Sequence, residues 1–527
     1  MNPGSPRKEQ HGGTGSAASS SSGREQLMTP DTSEGGVDGE GSGLLARGYD
    51  GGEEFEMEDR KPGRRHRRKR ASFRAYTPDE ERAVVRKLDR RLVVFVAGLY
   101  MLSFLDRSNI GNARVAGMDE DLDGQPGSYE WALTAFYLAY IAFEWMALLW
   151  RVIPAHIYVS MLVLSWGLTA SLQALAVNYP MLIFLRVLLG IGEAGFTGVP
   201  FYLSFFFKRD ELAFRTAIFI SAAPLATSFA SSLAWLIMKL GSSIPIAPWR
   251  LLFLIEGFPS VIMAAIAWHT IPDTPSTTSY LTPRQKKIAR LRLPLPPTTT
   301  PSPSPLSALL SPTAWLTSAI FFLANLSYSS LPVFLPHILT RMGHTPLAAQ
   351  ALAAPPFLLS FLLVLATAHL SDALGTRAAP LILHALLSAA GYAVLALARD
   401  PLTRYLAVYP AAVGFFNVVV LTVAWSLNNQ RGEGERGVGF VLMQVVGQCG
   451  PLVGTRLYPE GEGPFYVRGM AVCAGGMVGV AVLAGGLRGY LGWRNGVLDR
   501  REGEGEGEGE GLVRGGTGGE KGFRYML

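Results

Sequence analysis

The sequence predicts an all-α membrane protein with twelve transmembrane helices arranged in two six-helix bundles. Of its 527 residues, 49% are hydrophobic and only 17% are charged, too apolar a balance for an ordinary soluble protein of this size. Apolar runs of roughly 18–25 residues, the length that crosses a bilayer, recur between about residues 88 and 495. A polar, proline-rich segment divides these runs into two sets of six. Helices are the expected structure because unpaired backbone groups are not tolerated in lipid.

The first 85 residues are predicted to be a disordered cytoplasmic tail, because they are rich in Gly, Ser, Glu and Arg and poor in apolar residues. Residues 40–45 fit an acidic dileucine sorting signal, a pattern short enough to arise by chance. The basic run from Arg64 to Arg70 is typical of a topology signal or a contact for anionic lipid. We therefore expect no nucleic-acid partner.

The predicted N-terminal bundle covers 86–271 and the predicted C-terminal bundle covers 312–494. A cytoplasmic linker at 272–311 joins them, and a low-complexity, disordered cytoplasmic tail follows at 495–527. The expected spans are 90–113, 130–150, 156–177, 180–206, 212–239, 249–271, 313–336, 347–370, 378–398, 402–427, 436–456 and 465–491.

Lysine and arginine placement predicts the orientation of the spans. The linker and the other even-numbered connections are richer in basic residues than the odd-numbered ones, and the first odd connection carries Asp119, Glu120, Asp121 and Asp123. Basic loops stay in the cytoplasm. Both termini are therefore expected to be cytoplasmic, in a multi-pass protein of the plasma membrane, with the vacuolar membrane as the alternative.

The first span contains Asp106 and Arg107, although each costs roughly 2.5–3.5 kcal/mol in hydrocarbon. Asp106 lies 15 residues beyond Arg91, and Glu193 in the fourth span lies 15 residues before the basic edge at Lys208. At 1.5 Å per residue both acids reach about the same depth, about 22 Å from the cytoplasmic edge. The alternative is a purely structural role, in which these charges neutralise neighbours.

This combination of charges suits proton-coupled anion transport. An arginine offers a fork of donors to a carboxylate or sulfonate, so Arg107 is a candidate for substrate binding. Burial and a nearby arginine shift a carboxylate in opposite directions, so Asp106 and Glu193 can load and release a proton near neutral pH. The driving force is then a proton gradient, and the predicted partners are a small-molecule anion and the lipid bilayer, with the chain as a monomer.

Uncharged polar residues near mid-depth in the second half could orient a substrate. They are Asn325 and Tyr328 in the seventh span, Asn417 in the tenth and Gln444 in the eleventh, with Gln448 one turn further. Each of them alone could equally serve a helix contact.

Four other charged residues are candidates for gating. Arg186 precedes Glu193 by seven residues on nearly the same helix face, and Glu144 lies near the inner edge. Asp372 and Arg377 belong to the loop after the eighth span, where an aspartate can act as a conformation-dependent latch.

The chain carries none of the patterns expected of an enzyme or a metal site. Its two cysteines, Cys449 and Cys473, fall inside apolar runs, and no Cys/His cluster, nucleophile elbow or phosphate loop occurs. We therefore expect neither a catalytic residue nor a metal or cofactor.

Several strings resemble the anion:cation symporters, the allantoate permease-like branch of the major facilitator superfamily. They are Lys87–Arg91, Leu102–Arg114, Gly190–Phe196, Trp249–Gly257 and Leu427–Asn429. The resemblance implies a twelve-helix fold with alternating access, proton coupling at Asp106 and Glu193, and anion binding at Arg107. It also implies the fungal substrates of the branch: allantoate, nicotinate, pantothenate, biotin, small peptides, or sulfate and sulfonates. The sequence around Tyr129 and that of Phe201–Phe207 most resemble those of the members described as alternative sulfate or sulfonate transporters.

The chain departs from that resemblance in two loops. The usually Gly-rich, basic loop after the second span reads Trp150–His156 here, and its copy at 368–377 has Ala368 and Ala373 in place of a glycine and a basic residue. We therefore expect these two loops to form a weaker latch on the cytoplasmic side. Import of a small anion remains the leading hypothesis, with an organellar exporter and a non-transporting nutrient sensor as the alternatives.

Overall fold

A computed structural model describes residues 76–240, 245–293, 309–430, 433–509 and 524–527 of the chain. These ranges are helical with short connections and contain no β-strand. The dileucine pattern at 40–45 and the basic run at 64–70 lie outside the described residues.

The chain enters the fold through an amphipathic helix, α1 (Pro78–Leu88). Thr77 and Glu80 form a capping box at its start, which satisfies two otherwise unpaired backbone donors. The prediction of disorder is therefore wrong over residues 78–85. A π-helical turn, Asp89–Val93, then leads directly into the first span, α2 (Val94–Ala113).

Twelve further α-helices of nine or more residues follow in chain order among the described residues. They are α3 (Ser128–Phe143), α4 (Ala155–Leu172), α5 (Tyr179–Ala194), α6 (Arg209–Leu240), α7 (Pro248–Thr270), α8 (Pro283–Leu291), α9 (Pro312–Arg341), α10 (Pro346–Leu374), α11 (Ala378–Leu397), α12 (Pro401–Asn428), α13 (Glu433–Gly454) and α14 (Val467–Gly509).

Eleven helical segments in the described residues are long and apolar enough to cross a membrane. Helix α2 corresponds to the first of the twelve predicted spans. It is not among the eleven because the polar residues of its second half lower its mean hydropathy. Every residue from Ser103 to Ala113 is buried by neighbouring helices. Protein contacts therefore shield the charges of α2 from lipid, as intramembrane ionisable groups require.

The second and the fourth predicted spans change from α-helix to 3₁₀ helix along their length. The second changes at Glu144 into a 3₁₀ helix that ends at Arg151, and the fourth contains a 3₁₀ turn, Gly195–Gly198. The two irregular stretches meet, because the Trp150 indole Nε1 donates to the carbonyl of Gly195 at 2.8 Å. That bond satisfies a backbone carbonyl at the point where the α-helical pattern ends.

The polar segments also hold more structure than the sequence analysis predicted. The linker contains α8, which begins with a capping box of Thr282 and Gln285. Helix α14 continues to Gly509, and residues 524–527 contact other helices, so the prediction of a disordered tail from residue 495 is wrong for these residues.

The two halves of the chain contact each other tightly on the side of the membrane opposite the linker. There the hydroxyls of Thr134 and Thr455 lie 3.3 Å apart, and the Gln350 amide donates to the Asn112 carbonyl at 3.4 Å. Gly111 packs directly against the backbone of Val333. This side of the molecule is therefore closed.

Candidate functional site

Two adjoining cavities lie at the centre of the molecule, between residues of the first and second halves. Their volumes are about 320 and 480 Å³, and both are lined by Arg107, Tyr328 and Gln448. The larger cavity extends from Arg107 toward the linker side, where Pro200 and Phe440 line it. This position, between the halves and near mid-membrane, is where transporters of two related bundles bind substrate.

Arg107 of α2 forms a buried ion pair with Glu193 of α5. Its Nη2 lies 2.6 Å and its Nε 3.1 Å from the same carboxylate oxygen, Oε2. The Glu193 side chain is fully buried and that of Arg107 is 8% exposed. The second Glu193 oxygen has no hydrogen-bond partner among the described residues. The structure thus brings together the acid and the guanidinium that the sequence placed at a common depth.

Aromatic rings surround the Arg107 guanidinium. Its Cζ lies 4.6 Å from the ring centre of Tyr140, 5.2 Å from Phe136 and 5.8 Å from Phe104. Cation–π attraction of this kind is worth about 2 kcal/mol where water is excluded. The rings therefore stabilise the cation and hold its plane in a fixed orientation.

Asp106 faces a different neighbour, although it precedes Arg107 directly. It accepts a hydrogen bond from the Ser260 hydroxyl of α7 at 3.3 Å. Glu256, one turn before Ser260, is 2% exposed, and neither of its carboxylate oxygens has a partner among the described residues. Successive helical residues point about 100° apart, so Asp106 lies with α7 while Arg107 faces α5 and the cavity.

Three of the four uncharged residues predicted to bind substrate line the larger cavity. They are Asn325, Tyr328 and Gln444. Asn417 is absent from the lining of both cavities, and its amide donates to the Val413 carbonyl of its own helix at 2.8 Å. The structure therefore gives Asn417 a contact within α12.

The sequence did not predict the tyrosines that line the cavity from the first half. Tyr100, Tyr137 and Tyr140 line it from the first half, and the Tyr100 hydroxyl lies 3.3 Å from that of Tyr328 across the interface between the halves. Tyr100 and Tyr328 are the pair that joins the halves beside Arg107. The spacing of Tyr137 and Tyr140 could have indicated a shared tyrosine surface, because residues three apart lie on the same face of a helix.

Two of the predicted gating residues are buried within the first half. Arg186 donates to the Arg107 carbonyl at 3.3 Å, and its Nε and Nη2 have no partner in the described part of the chain. Glu144 is fully buried, and neither carboxylate oxygen has a partner among the described residues. Arg186 thus contacts the backbone of the helix that carries the central ion pair.

The other two predicted gating residues contact each other on the linker side. The Arg377 guanidinium pairs with the Asp372 carboxylate and donates to the Ser371 hydroxyl at 2.9 Å. All three residues belong to the second half, so these contacts do not join the two halves.

A second charge network joins α1, α8 and the start of α6 on the linker side. Glu81 accepts from Lys208 at 2.5 Å and from Arg292 at 3.4 Å, and Arg292 also pairs with Glu211. The hydrogen bond from Lys208 is the main reason that the pKa of Glu81 lies below its ordinary value. Arg284 similarly holds the pKa of the exposed Glu80 at about 2.

The cavity suits an organic ligand and offers no metal site. Within the described ranges no group of three or more His, Cys, Asp or Glu side chains could hold a metal ion. The cavity walls combine one guanidinium, several phenol rings and three amides. Such a lining can bind an anion by charge and hydrogen bonds while rings contact its apolar part.

Comparison with known proteins identifies the family of this chain. Residues 96–455 match the Major Facilitator Superfamily. The chain is 31% identical over 432 residues to the MFS transporter prlL of a fungal species (strain NRRL 50135), covering 79% of this chain and 87% of that protein. It is 27% identical over 469 residues to the major facilitator-type transporter hxnP of Emericella nidulans, covering 85% and 94%.

Solved structures share the fold at low sequence identity. The proton:xylose symporter XylE aligns with a TM-score of 0.58 and 11% identity, over 75% of this chain and 95% of XylE. The human organic anion transporter MFSD10 aligns with a TM-score of 0.56 and 14% identity, over 75% and 99%. The chain therefore belongs to the major facilitator superfamily and is a multi-pass membrane transporter, not an enzyme.

Proposed function

We propose that this transporter imports a small organic anion together with protons, by alternating access. The observation that carries the proposal is the Arg107–Glu193 ion pair, whose guanidinium lines both cavities. Arg107 is the only charged residue among the described residues that line either cavity. An anion that enters the cavity therefore meets one cation, and that cation already has a carboxylate partner.

Competition for Arg107 provides the coupling. While Glu193 is ionised it occupies the guanidinium, and a second anion would add a buried negative charge without a counterion, which is strongly unfavourable. Protonation of Glu193 removes its charge and frees Arg107 for the substrate. Substrate and proton then bind together, and loss of the proton returns Glu193 to Arg107 as the anion leaves.

Asp106 is the candidate for a second proton. Its carboxylate has Ser260 as a hydrogen-bond donor, while the acid Glu256 lies one turn away on α7. Two ionised carboxylates in such a buried cluster would repel each other, so we assign one proton to Asp106 and Glu256 together. This proton store is separate from the anion site, because Asp106 faces away from the cavity.

The cavity favours an organic anion over inorganic sulfate. The walls of its larger part include Tyr100, Tyr140, Phe219 and Phe321. A compact tetrahedral anion would leave those rings without contact. We therefore favour carboxylates or sulfonates that carry a ring or another planar group, within the allantoate permease-like branch.

We also propose that the chain acts as a monomer in the plasma membrane, with its termini and linker in the cytoplasm. The excess of basic residues in the linker supports this orientation. Cells that lack their own carriers should therefore accumulate a labelled anion from outside when they express the chain.

Uptake of a panel of labelled anions at two external pH values tests the proposal. We expect at least one planar organic anion to accumulate against its gradient, faster at the lower pH, and sulfate to fail. Accumulation that is unaffected by a protonophore would contradict proton coupling, and uptake of none of the anions would contradict the proposed substrate class.

A further inference from the structure

Residues 524–527 occupy a groove on the linker side of the second half. The groove is formed by the end of α12, by α14 and by the residue before α11. The 524–527 segment reaches α12 across a sequence separation of 97 residues or more. This contact joins three helices at their linker-side ends.

Two asparagines recognise the backbone of the 524–527 segment in the same manner. Asn429 accepts from the Met526 N–H at 2.7 Å and donates to the Met526 carbonyl at 3.1 Å. Asn495 accepts from the Tyr525 N–H at 2.9 Å and donates to the Tyr525 carbonyl at 2.9 Å. Each amide thus reads both backbone groups of one residue, as a neighbouring β-strand would.

Further donors complete the groove. The Trp425 indole Nε1 donates to the Met526 carbonyl at 2.8 Å, and the Arg377 N–H donates to the Leu527 carbonyl at 2.7 Å. The Asn428 amide lies 3.0 Å from the Met526 sulfur. Trp425, Asn428 and Asn429 are all at least 95% buried. These polar groups would otherwise need other partners, because buried donors are rarely left unpaired.

We propose that this groove is a peptide-binding site and that the 524–527 segment is its intramolecular ligand. The groove takes a short extended peptide with an aromatic residue followed by a long apolar one. Its occupation fastens the loop that carries Arg377 to α12 and α14, the helices whose linker-side ends must shift when this side of the transporter opens and closes. Release of the segment therefore loosens the second half on the linker side.

A binding experiment with a truncated chain tests the site. A chain that lacks residues 524–527 should bind the acetylated peptide Arg-Tyr-Met-Leu and melt at a higher temperature when the peptide is present. The intact chain should bind the peptide at least tenfold more weakly, because its own segment competes at an effective concentration on the order of 1 mM. Equal binding to both chains, or no binding to the truncated chain, overturns the proposal.

Conservative variants locate the peptide on the groove. In the truncated chain, Trp425→Phe keeps the ring and removes the indole donor, and Asn429→Leu removes both amide bonds. We expect peptide affinity to fall by at least threefold and tenfold, respectively. Asn178→Leu, on the opposite side of the membrane, is the control and should leave the affinity unchanged. Unchanged affinity in both groove variants would also overturn the proposal.

Cross-linking in the full chain gives an answer even if the truncated chain does not fold. With Cys449 and Cys473 replaced by alanine, the pair Met526→Cys and Asn428→Cys, whose native side chains are in contact, should form an intramolecular disulfide when an oxidant is added. The control pair, Met526→Cys and Arg341→Cys, places one thiol at the opposite side of the membrane and should not react. Equal cross-linking of the two pairs, or none in either, contradicts docking of the segment.

Discussion

Arg107 directs two of its nitrogens, Nη2 and Nε, at a single oxygen of Glu193, while the other oxygen of that carboxylate has no partner in the described part of the chain. The pair is therefore incomplete as a salt bridge. A buried carboxylate that is bonded through one oxygen only retains a site for a proton, and a guanidinium with a remaining edge retains donors for a second anion. Both features suit a pair that opens during transport, as the proposed coupling requires.

Glu193→Gln should uncouple transport from the proton gradient. The amide keeps the shape of the side chain but cannot carry the exchangeable proton, so uphill uptake of a labelled substrate should disappear while exchange of substrate across the membrane continues. Uphill accumulation and counterflow exchange of the labelled substrate are measured separately, in vesicles that contain the variant. Glu120→Gln, at an exposed acid, is the control and should keep both activities. Uphill uptake by the Glu193 variant would show that the coupling proton binds elsewhere.

Arg107→Lys should weaken substrate binding at least tenfold, a loss of about 1.4 kcal/mol. An ammonium group keeps the charge but loses the planar fork and its stacking on Tyr140, which lies 4.6 Å from the Arg107 Cζ. The concentration dependence of counterflow measures the change. Arg341→Lys, at an exposed position, controls for a general effect of the replacement. An unaltered affinity would place the anion site away from Arg107.

A disulfide between Thr134→Cys and Thr455→Cys should stop transport. Their hydroxyls lie 3.3 Å apart on the closed side opposite the linker, and alternating access requires these residues to separate. In a chain with Cys449 and Cys473 replaced by alanine, oxidation should abolish uptake and a reducing agent should restore it. The single variants are the controls. Continued uptake by the fully cross-linked protein would rule out opening between these residues.

Glu81→Gln should lower the melting temperature more than Glu80→Gln does. Glu81 bonds with both Lys208 and Arg292, whereas Glu80 bonds with the exposed Arg284. The pKa of Glu81 is lower in the folded chain than in the unfolded one, so its stabilising contribution is present above its ordinary pKa and declines as pH falls below it. The difference in melting temperature between wild type and Glu81→Gln should therefore shrink in acid. A difference that grows instead would contradict the assignment.

Gly190→Ala should destabilise the fold, while Gly98→Ala should not. A Cβ at Gly190 would lie 2.5 Å from the Phe136 carbonyl oxygen, whereas a Cβ at Gly98 would meet no atom within 4 Å. Overpacking of this kind costs typically about 1–3 kcal/mol. Thermal unfolding in detergent compares the two variants directly, since both glycines lie in membrane spans. Equal melting temperatures would mean that α3 and α5 can separate without loss of stability.

Local patterns along the chain were sufficient for much of the fold. Apolar runs predicted the spans because transfer of a side chain into hydrocarbon depends on that side chain and its immediate neighbours. The capping boxes at Thr77 and Thr282 are also local sequence patterns. They could have predicted the two helix starts, although these residues were assigned to a disordered tail and a linker. Depth along a helix also follows from residue count, which predicted that Asp106, the neighbour of Arg107, lies at about the same depth as Glu193.

The rotation of each helix and contacts between distant residues were decided only by the tertiary structure. Asp106 and Arg107 are adjacent in sequence, yet one faces Ser260 and the other Glu193, because the packing of α2 between α5 and α7 selects which side of the helix each neighbour meets. The contact of Met526 with Asn429 spans 97 residues and has no local signal. The sequence alone therefore determined the membrane-spanning helices and the depth of the buried charges along them. The partner of each charge depended on the fold, since a side-chain partnership needs two surfaces that only the assembled helices bring together.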